Sequence, residues 1–393
     1  MANPNSFSGN RFARGGGRST GHGGPPGGKP AGHAGPEPHP LRVGAPDYIA
    51  GYSRFFKDCP PGHAFRLYFA GWEEDWKLSQ TKKREVLEQT AELAPAVAKQ
   101  IESLVSRQQK LAQGQEFLVF SCVTTSPFTT GLGNEHPLEN GFAFLDPYGI
   151  PYLPGSGVKG AVRRAAEELA LFEPDACGWS VPAVWWLFGF DAQAAYFRDP
   201  EGNHPPVIAQ EIRRWRDAYL KHTTNWSEQA ELLFNKFCQL VATKASSSES
   251  IREALLSTDK LGHVRAKANL IHLRGALTFL DVIPRCRERL RVDIMNPHYT
   301  QYYQEQQAPG DWGMPVPIFF LTLPVGTEFN FVTRFVPPPC WPEEVRDASQ
   351  APVDGEPWWK HLLKAAFSFA WEWQGFGAKT SIGYGRMELN KRS

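Results

Sequence analysis

The run at 115–125, Gln-Glu-Phe-Leu-Val-Phe-Ser-Cys-Val-Thr-Thr, constrains this chain more than any other stretch. It is β-branched and aromatic, too short and too uninterrupted for an amphipathic helix, and it specifies a mostly buried strand. Such a strand needs partners. The chain offers Ala276–Ile283, Leu290–Ile294, Pro317–Pro324, Glu328–Phe335 and a short Ile382–Leu389. The turn at Val325-Gly326 predicts that 317–324 and 328–335 form an antiparallel hairpin. Two helices fall between the strands. Ser156 stands at an N-cap position before Val158, Ala161, Val162, Ala165, Ala166 and Leu169, a small apolar face suited to a sheet. Trp358, Leu362, Ala365, Ala366, Phe369 and Trp373 share a second helical face, which Gly375 ends.

The order is strand, helix, strands, hairpin, helix, strand: βαββαβ with an added pair. That is an α+β, ferredoxin-like (RRM-like) pattern over 114–393. A Trp-rich and then helical insertion interrupts it at about 172–270, with a polar loop at Ser246–Ser250. Before it, Val86, Leu87, Leu93, Val97, Ile101, Leu104, Val105 and Leu111 recur at helical steps, broken by Pro95, so 46–113 reads as a helical extension. Residues 1–45 read as a disordered tail, because the first 40 hold 11 of 36 glycines and 7 of 33 prolines. Their only large apolar side chains are Met1, Phe7 and Phe12, too little to offset the entropy of ordering.

Of 42 basic and 41 acidic residues, the first 40 positions take Arg11, Arg14, Arg18, Lys29 and Glu37, leaving 38 basic against 40 acidic. A balanced body restricts any polyanion site to a local patch. Apolar runs such as Ile318–Leu321 are far below the ~20 residues of a membrane helix, and no apolar export segment opens the chain. The six cysteines lack metal-ligand spacing and read as buried small hydrophobes in a reducing cytoplasm.

Two segments carry chemistry. Gly375-Phe-Gly-Ala-Lys-Thr-Ser-Ile-Gly-Tyr-Gly385 invites a phosphate-loop reading, but Ala378 precedes Lys379 and no helix follows. What remains is a loop whose glycines let amides approach a polyanion, with Lys379 as the cation; a tight turn before an edge strand is the plainer alternative. In Tyr152-Leu-Pro-Gly-Ser-Gly-Val-Lys-Gly-Ala-Val-Arg-Arg164, a Gly/Ser-rich turn opens a helix at its positive end, and Lys159 and Arg163 lie four apart on one face.

Together these segments resemble the RAMP superfamily of CRISPR RNA-guided complexes, whose members share an "(I/L)PGSSxKGxxR" helix start and a C-terminal "GxGxKTxxGxG" loop on a ferredoxin-like fold. Leu153–Arg163 and Gly375–Gly385 match, with Gly157 where a second Ser is usual. Gly131–Phe142, Thr278–Pro284 and Asp293–Tyr303 further resemble the sixth-subunit family of Cmr, type III-B, complexes. The resemblance covers most of 115–393. It implies a cytoplasmic, noncatalytic subunit without cofactor or metal that caps the backbone filament near the guide 3′ end. The implied partners are guide RNA, with target RNA as a further candidate, the repeated backbone subunit and the first Cmr subunit. The RNA-binding candidates are Ser156, Lys159, Arg163, Gly375, Gly377, Lys379, Thr380, Gly383, Gly385, His298 and Tyr299.

Three alternatives remain in view. His136 with Glu135, Glu139 and Asp146 can be drawn as a metal or acid/base cluster, although prolines and glycines interrupt any shared face. His298 beside Tyr299, Tyr302 and Tyr303 can be drawn as a guide-processing endoribonuclease site, although a base-stacking or subunit-contacting loop fits better. A protein-only scaffold is the third. The Trp-rich segment from Trp179 to about Trp226 is the candidate subunit contact, with core packing as its other explanation.

Overall fold

The structure is a computed structural model, and it describes residues 42–44, 58–173, 177–223, 226–244, 246–256, 271–287, 289–296 and 317–390. Of the tail, only residues 42–44 are described, with Arg42 bridging Trp72; His298 and Tyr299 lie outside the described residues.

The helical extension consists of α1 (Pro61–Arg66), α2 (Lys83–Thr90) and α3 (Pro95–Leu111). Pro95 does not interrupt a helix but begins one, at the position where a missing amide costs nothing. The strand β1 (Phe117–Thr124) follows, then a loop with two two-residue strands that pair at Phe144↔Pro151 and Leu145↔Ile150. Next is α4 (Gly155–Phe172). The insertion supplies α5 (Val181–Phe188), α6 (Pro206–Thr223), α7 (Glu228–Val241) and α8 (Ser248–Leu256). Strands β2 (Leu277–Phe279), β3 (Arg291–Met295), β4 (Ile318–Thr322) and β5 (Glu328–Phe335) then precede α9 (Glu343–Gln350), α10 (Trp358–Phe369) and β6 (Met387–Leu389).

The main sheet has the order β6-β1-β5-β2, and its neighbours are all antiparallel. Its register sends Leu118, Phe120, Cys122, Phe329, Phe331 and Phe335 to the side of α4 and α10. There Phe120 and Phe331 meet the Phe367 ring at 4.9 and 5.6 Å, and Phe120 meets Trp371 edge-on at 5.0 Å.

The hairpin expected between 317–324 and 328–335 does not form. β4 pairs instead with β3, from Met295↔Ile318 to Arg291↔Thr322, while β5 pairs with β1 and β2. The two strands part at Val325-Gly326 because Thr124 anchors the turn: its hydroxyl donates to the Pro324 carbonyl, and its carbonyl accepts from the Gly326 amide at 2.8 Å. The added pair is therefore β3–β4.

Four local expectations also shift. Helix α4 begins at Gly155 with Pro154 at the N-cap, and the amide of Gly155 donates to Asp281 Oδ1 at 2.7 Å, so Ser156 is in the first turn rather than the cap. A π-turn at Ala370–Gln374 follows α10. Its wider turn slips the helical phase, burying Trp371 and leaving Trp373 68% exposed instead of on the apolar face. Four of the five tryptophans of the insertion are core: Trp179, Trp185, Trp186 and Trp215 are buried, Trp226 is half-buried, and the indole N–H of Trp186 donates to the Leu233 carbonyl at 2.9 Å. The area of those four is unavailable to a partner. Of the six cysteines, Cys122, Cys238 and Cys286 are buried, whereas Cys59 and Cys177 are half-buried and Cys340 is exposed.

Candidate nucleic-acid interface

Two segments more than 200 residues apart in sequence form the walls of one groove of about 660 Å3. One wall is the start of α4: Leu153, Pro154, Ser156, Gly157, Gly160, Ala161, Arg164 and Glu168. The other is Gln374, Gly375, Gly377 and Thr380, and Thr130 closes the end. Ser156, Gly160, Arg164 and Glu168 are successive i+4 positions, so a single helix face points into the groove.

The glycines of α4 leave that face bare. A Cβ at Gly160 would meet nothing within 4 Å, and one at Gly157 only Leu153 at 3.6 Å. Gly155 differs: its Cβ would fall 2.3 Å from the Phe279 carbonyl, so glycine lets the helix press against β2. Arg164 is the cation of the groove. Its Nε donates to Glu168 at 2.8 Å, and its guanidinium lies 3.7 Å from the Trp215 ring centroid, which fixes a planar cation at the groove wall.

Arg163, one residue earlier, has another fate. Its Nε donates to Glu167 at 2.9 Å, its Nη1 donates to the Gly189 carbonyl at 3.1 Å, and Asp191 stands 4.0 Å away. The side chains of Arg163 and Glu167 are 16% and 8% exposed, which makes this a buried staple between α4 and the insertion. Burial pushes the Glu167 carboxyl up, against the opposing pull of Arg163 and Arg164. Lys159 is half-buried beside this pair, and burial, then Arg163 and Arg274, pushes its ammonium down. The expected Lys159/Arg163 face exists, but it is the face next to the groove wall. Helical spacing cannot tell Arg163 from Arg164, and only Trp215, 51 residues on, marks which one faces the groove.

The glycine-rich loop is tightly wound. A Cβ at Gly377 would meet the Thr129 carbonyl at 2.3 Å, and one at Gly385 the Phe376 carbonyl at 1.9 Å, with φ of +89° and +72°. The Phe376 amide donates to the Gly385 carbonyl at 2.9 Å and the Ala378 amide to the Thr129 carbonyl at 2.8 Å, so several loop amides serve the fold. Lys379 sits at φ +59°, with Nζ 3.0 Å from Met295 Sδ and 5.1 Å from the Phe320 ring, on the β3–β4 side and not in the groove lining. The Tyr384 hydroxyl donates to Asp293 Oδ2 at 2.6 Å, and burial together with that carboxylate pushes the phenol up to about 12. Gly375, Gly377 and Thr380 reach the groove; Gly383 and Gly385 shape the loop behind it.

The drawn cluster around His136 disperses. Its ring stacks on Phe65 at 3.7 Å, its Nε2 is 2.9 Å from the Phe65 carbonyl, and its Nδ1 accepts from the Leu138 amide at 3.1 Å. Those contacts select the Nε2–H neutral form, and burial pushes its pKa down. Glu139 pairs with Lys83 at 2.7 Å, and Asp146 with Arg66. The loop thus fastens the N-terminal helices to the core, a role no sequence signal announced. Among the described residues no group of three His, Cys, Asp or Glu side chains comes together as metal ligands, and no helix is long and apolar enough to cross a membrane.

The family model of the RAMP superfamily matches residues 121–388, which include both groove walls. The chain belongs to the RAMP superfamily. It is similar to the CRISPR system Cmr subunit Cmr6 of Pyrococcus furiosus, 28% identical over 283 residues. That match covers 67% of this chain and 65%, just under two thirds, of the relative. Among solved structures, it resembles the crystal structure of Cmr6 from Pyrococcus furiosus (27% identity, 70% of this chain, 97% of that one, TM-score 0.29). It also resembles the cryo-EM structure of the type III-B Cmr-beta bound to cognate target RNA (15% identity, 79% and 71%, TM-score 0.37).

Proposed function

We propose that this chain is a noncatalytic, guide-RNA-binding structural subunit of a type III-B CRISPR effector, built on a ferredoxin-like core and closing the backbone filament near the guide 3′ end. The observation that carries this reading is the meeting of the two glycine-bearing motifs on one groove. The strand order β6-β1-β5-β2 supports the core topology. The similarity to Cmr6 supports the complex, with the backbone subunit, the first Cmr subunit and target RNA as neighbours.

In the groove, the bare glycine face of α4 lets a sugar-phosphate backbone lie against main chain, and the Ser156 and Thr380 hydroxyls and Gln374 offer hydrogen bonds. Arg164 supplies the cation, exchanging its pairing with Glu168 and with Glu211 at 4.0 Å for a phosphate, and contacts of this kind carry no base sequence. The role is positional, in keeping with a His136 whose two ring nitrogens are both engaged by backbone.

Incubation of the purified chain with labelled repeat RNA, with and without Mg2+, tests this. Binding without cleavage is expected, and Arg164→Glu should weaken affinity about tenfold and lower the salt slope by about 0.7. Cleavage would make it an endoribonuclease; salt-indifferent, negligible affinity would make it a protein-only scaffold.

A further inference from the structure

We propose that Lys159, Arg274 and Arg334 form a second contact for single-stranded RNA, which carries the strand out of the groove and over the β2 edge of the sheet. The inference rests on the groove reading for its starting point. Lys159 directly precedes Gly160, a residue of the groove wall, and shares a helix face with Arg163. Arg163 Nη1 donates to the Gly189 carbonyl, and Gly189 forms a β-bridge with Arg274, which sets Arg274 beside that face. Arg274 and Arg334 then line one cleft of about 370 Å3 with Leu111, Phe117, Thr278 and Glu116. Thr278 and Arg334 are register partners across β2 and β5, on the sheet face turned away from α4 and α10.

The charges are poorly compensated. Arg163 is neutralised by Glu167, but among the described residues neither Lys159 nor Arg274 has an ion pair. Arg334 has Glu116 only at 3.7 Å, and its guanidinium rests 5.4 Å from the Phe117 ring. Arg274 and Arg334 are exposed, and Leu111 beside them is 63% exposed. Burial and the neighbouring cations already disfavour charge on Lys159, and an anion brought there would restore it. A row of cations that starts at the groove wall, with Glu116 at its far end and the Glu167 and Asp191 carboxylates turned to Arg163, suits a continuous chain of phosphates, because each nucleotide carries a charge to the next contact.

The test uses the full chain and labelled single-stranded RNAs of about 5 and about 15 nucleotides, within the range such sites span. The longer RNA should bind at least tenfold more tightly. The double variant Arg274→Glu/Arg334→Glu should lose that advantage, with the salt slope on the longer RNA falling by about 1.4, while affinity for the shorter changes less than twofold. Arg274→Gln/Arg334→Gln should give an intermediate loss, and thermal melts of both variants should match the parent. Equal affinity for the two lengths, an unchanged double variant, or equal loss on both lengths would overturn the inference. So would a double variant that keeps RNA affinity but loses binding to poly-glutamate, which would assign the cleft to an acidic protein. Arg164→Glu separates the readings: if it is silent while the double variant acts, the groove reading fails and the cleft contact stands.

Discussion

The helix start at 153–164 and the loop at 375–385 are both glycine-bearing motifs, yet Gly157 and Gly160 of the helix do the opposite of Gly377 and Gly385 of the loop. In the loop, Gly377 and Gly385 are required because another residue's carbonyl occupies the space a Cβ would take. In the helix, Gly160 faces empty space and Gly157 nearly so. The loop is wound into its own backbone, and its lysine rests on Met295 and Phe320. The helix start presents an uncovered face and a stacked arginine. A motif can thus combine residues that build a groove with residues that line it, and shared glycine content does not distinguish them.

Substitutions can break this comparison. The largest effect should come from Arg163→Ala, which leaves Glu167 buried without its partner and should cost about 3–5 kcal/mol in chemical denaturation. Replacing both residues by leucine should recover most of that loss, whereas an arginine that acts only on RNA would leave stability untouched. Next is Gly385→Ala. A left-handed φ and a backbone clash should together destabilise by about 2–5 kcal/mol, measured the same way. Gly160→Ala should do the reverse, gaining about 0.5–1 kcal/mol as a helix interior position while weakening RNA binding severalfold in a fluorescence titration. If the two glycine variants behave alike, the distinction between building and lining fails.

The smallest effect is a pH slope. His136 is held neutral, with its folded pKa below the ordinary ~6.5. Its contribution is complete above that value and is lost as pH falls from about 6.5 through the folded pKa, because the unfolded chain takes the proton first. Denaturation midpoints followed from pH 7.5 to 5 should fall in the parent and flatten in this window in His136→Gln.

Much of this architecture is legible in the sequence. The uninterrupted run before residue 125 becomes β1, the central partner of both β5 and β6, and the α4 and α10 patterns become the helices that cover it. The β3–β4 pairing was not legible, since Pro317–Pro324 and Glu328–Phe335 have the composition of a hairpin. The turn between them is decided by Thr124, 200 residues away. Nor did the pattern foresee the π-turn that exposes Trp373 and buries Trp371.

The site divides in the same way. The sequence by itself determined that Leu153–Arg163 opens a helix with glycines and cations, and that Gly375–Gly385 is a glycine-rich loop between a helix and a strand, because helical periodicity and glycine's φ range are properties of a few adjacent residues. Tertiary structure decided that the two meet, that Arg164 rather than Arg163 faces the groove, and that Lys379 turns toward β3 and β4. Those choices are made by Trp215, Gly189, Met295 and Phe320, whose distance along the chain leaves no trace in the local pattern. A side chain's direction around its element depends on which neighbour arrives to pair with it, and that pairing exists only after the chain has folded.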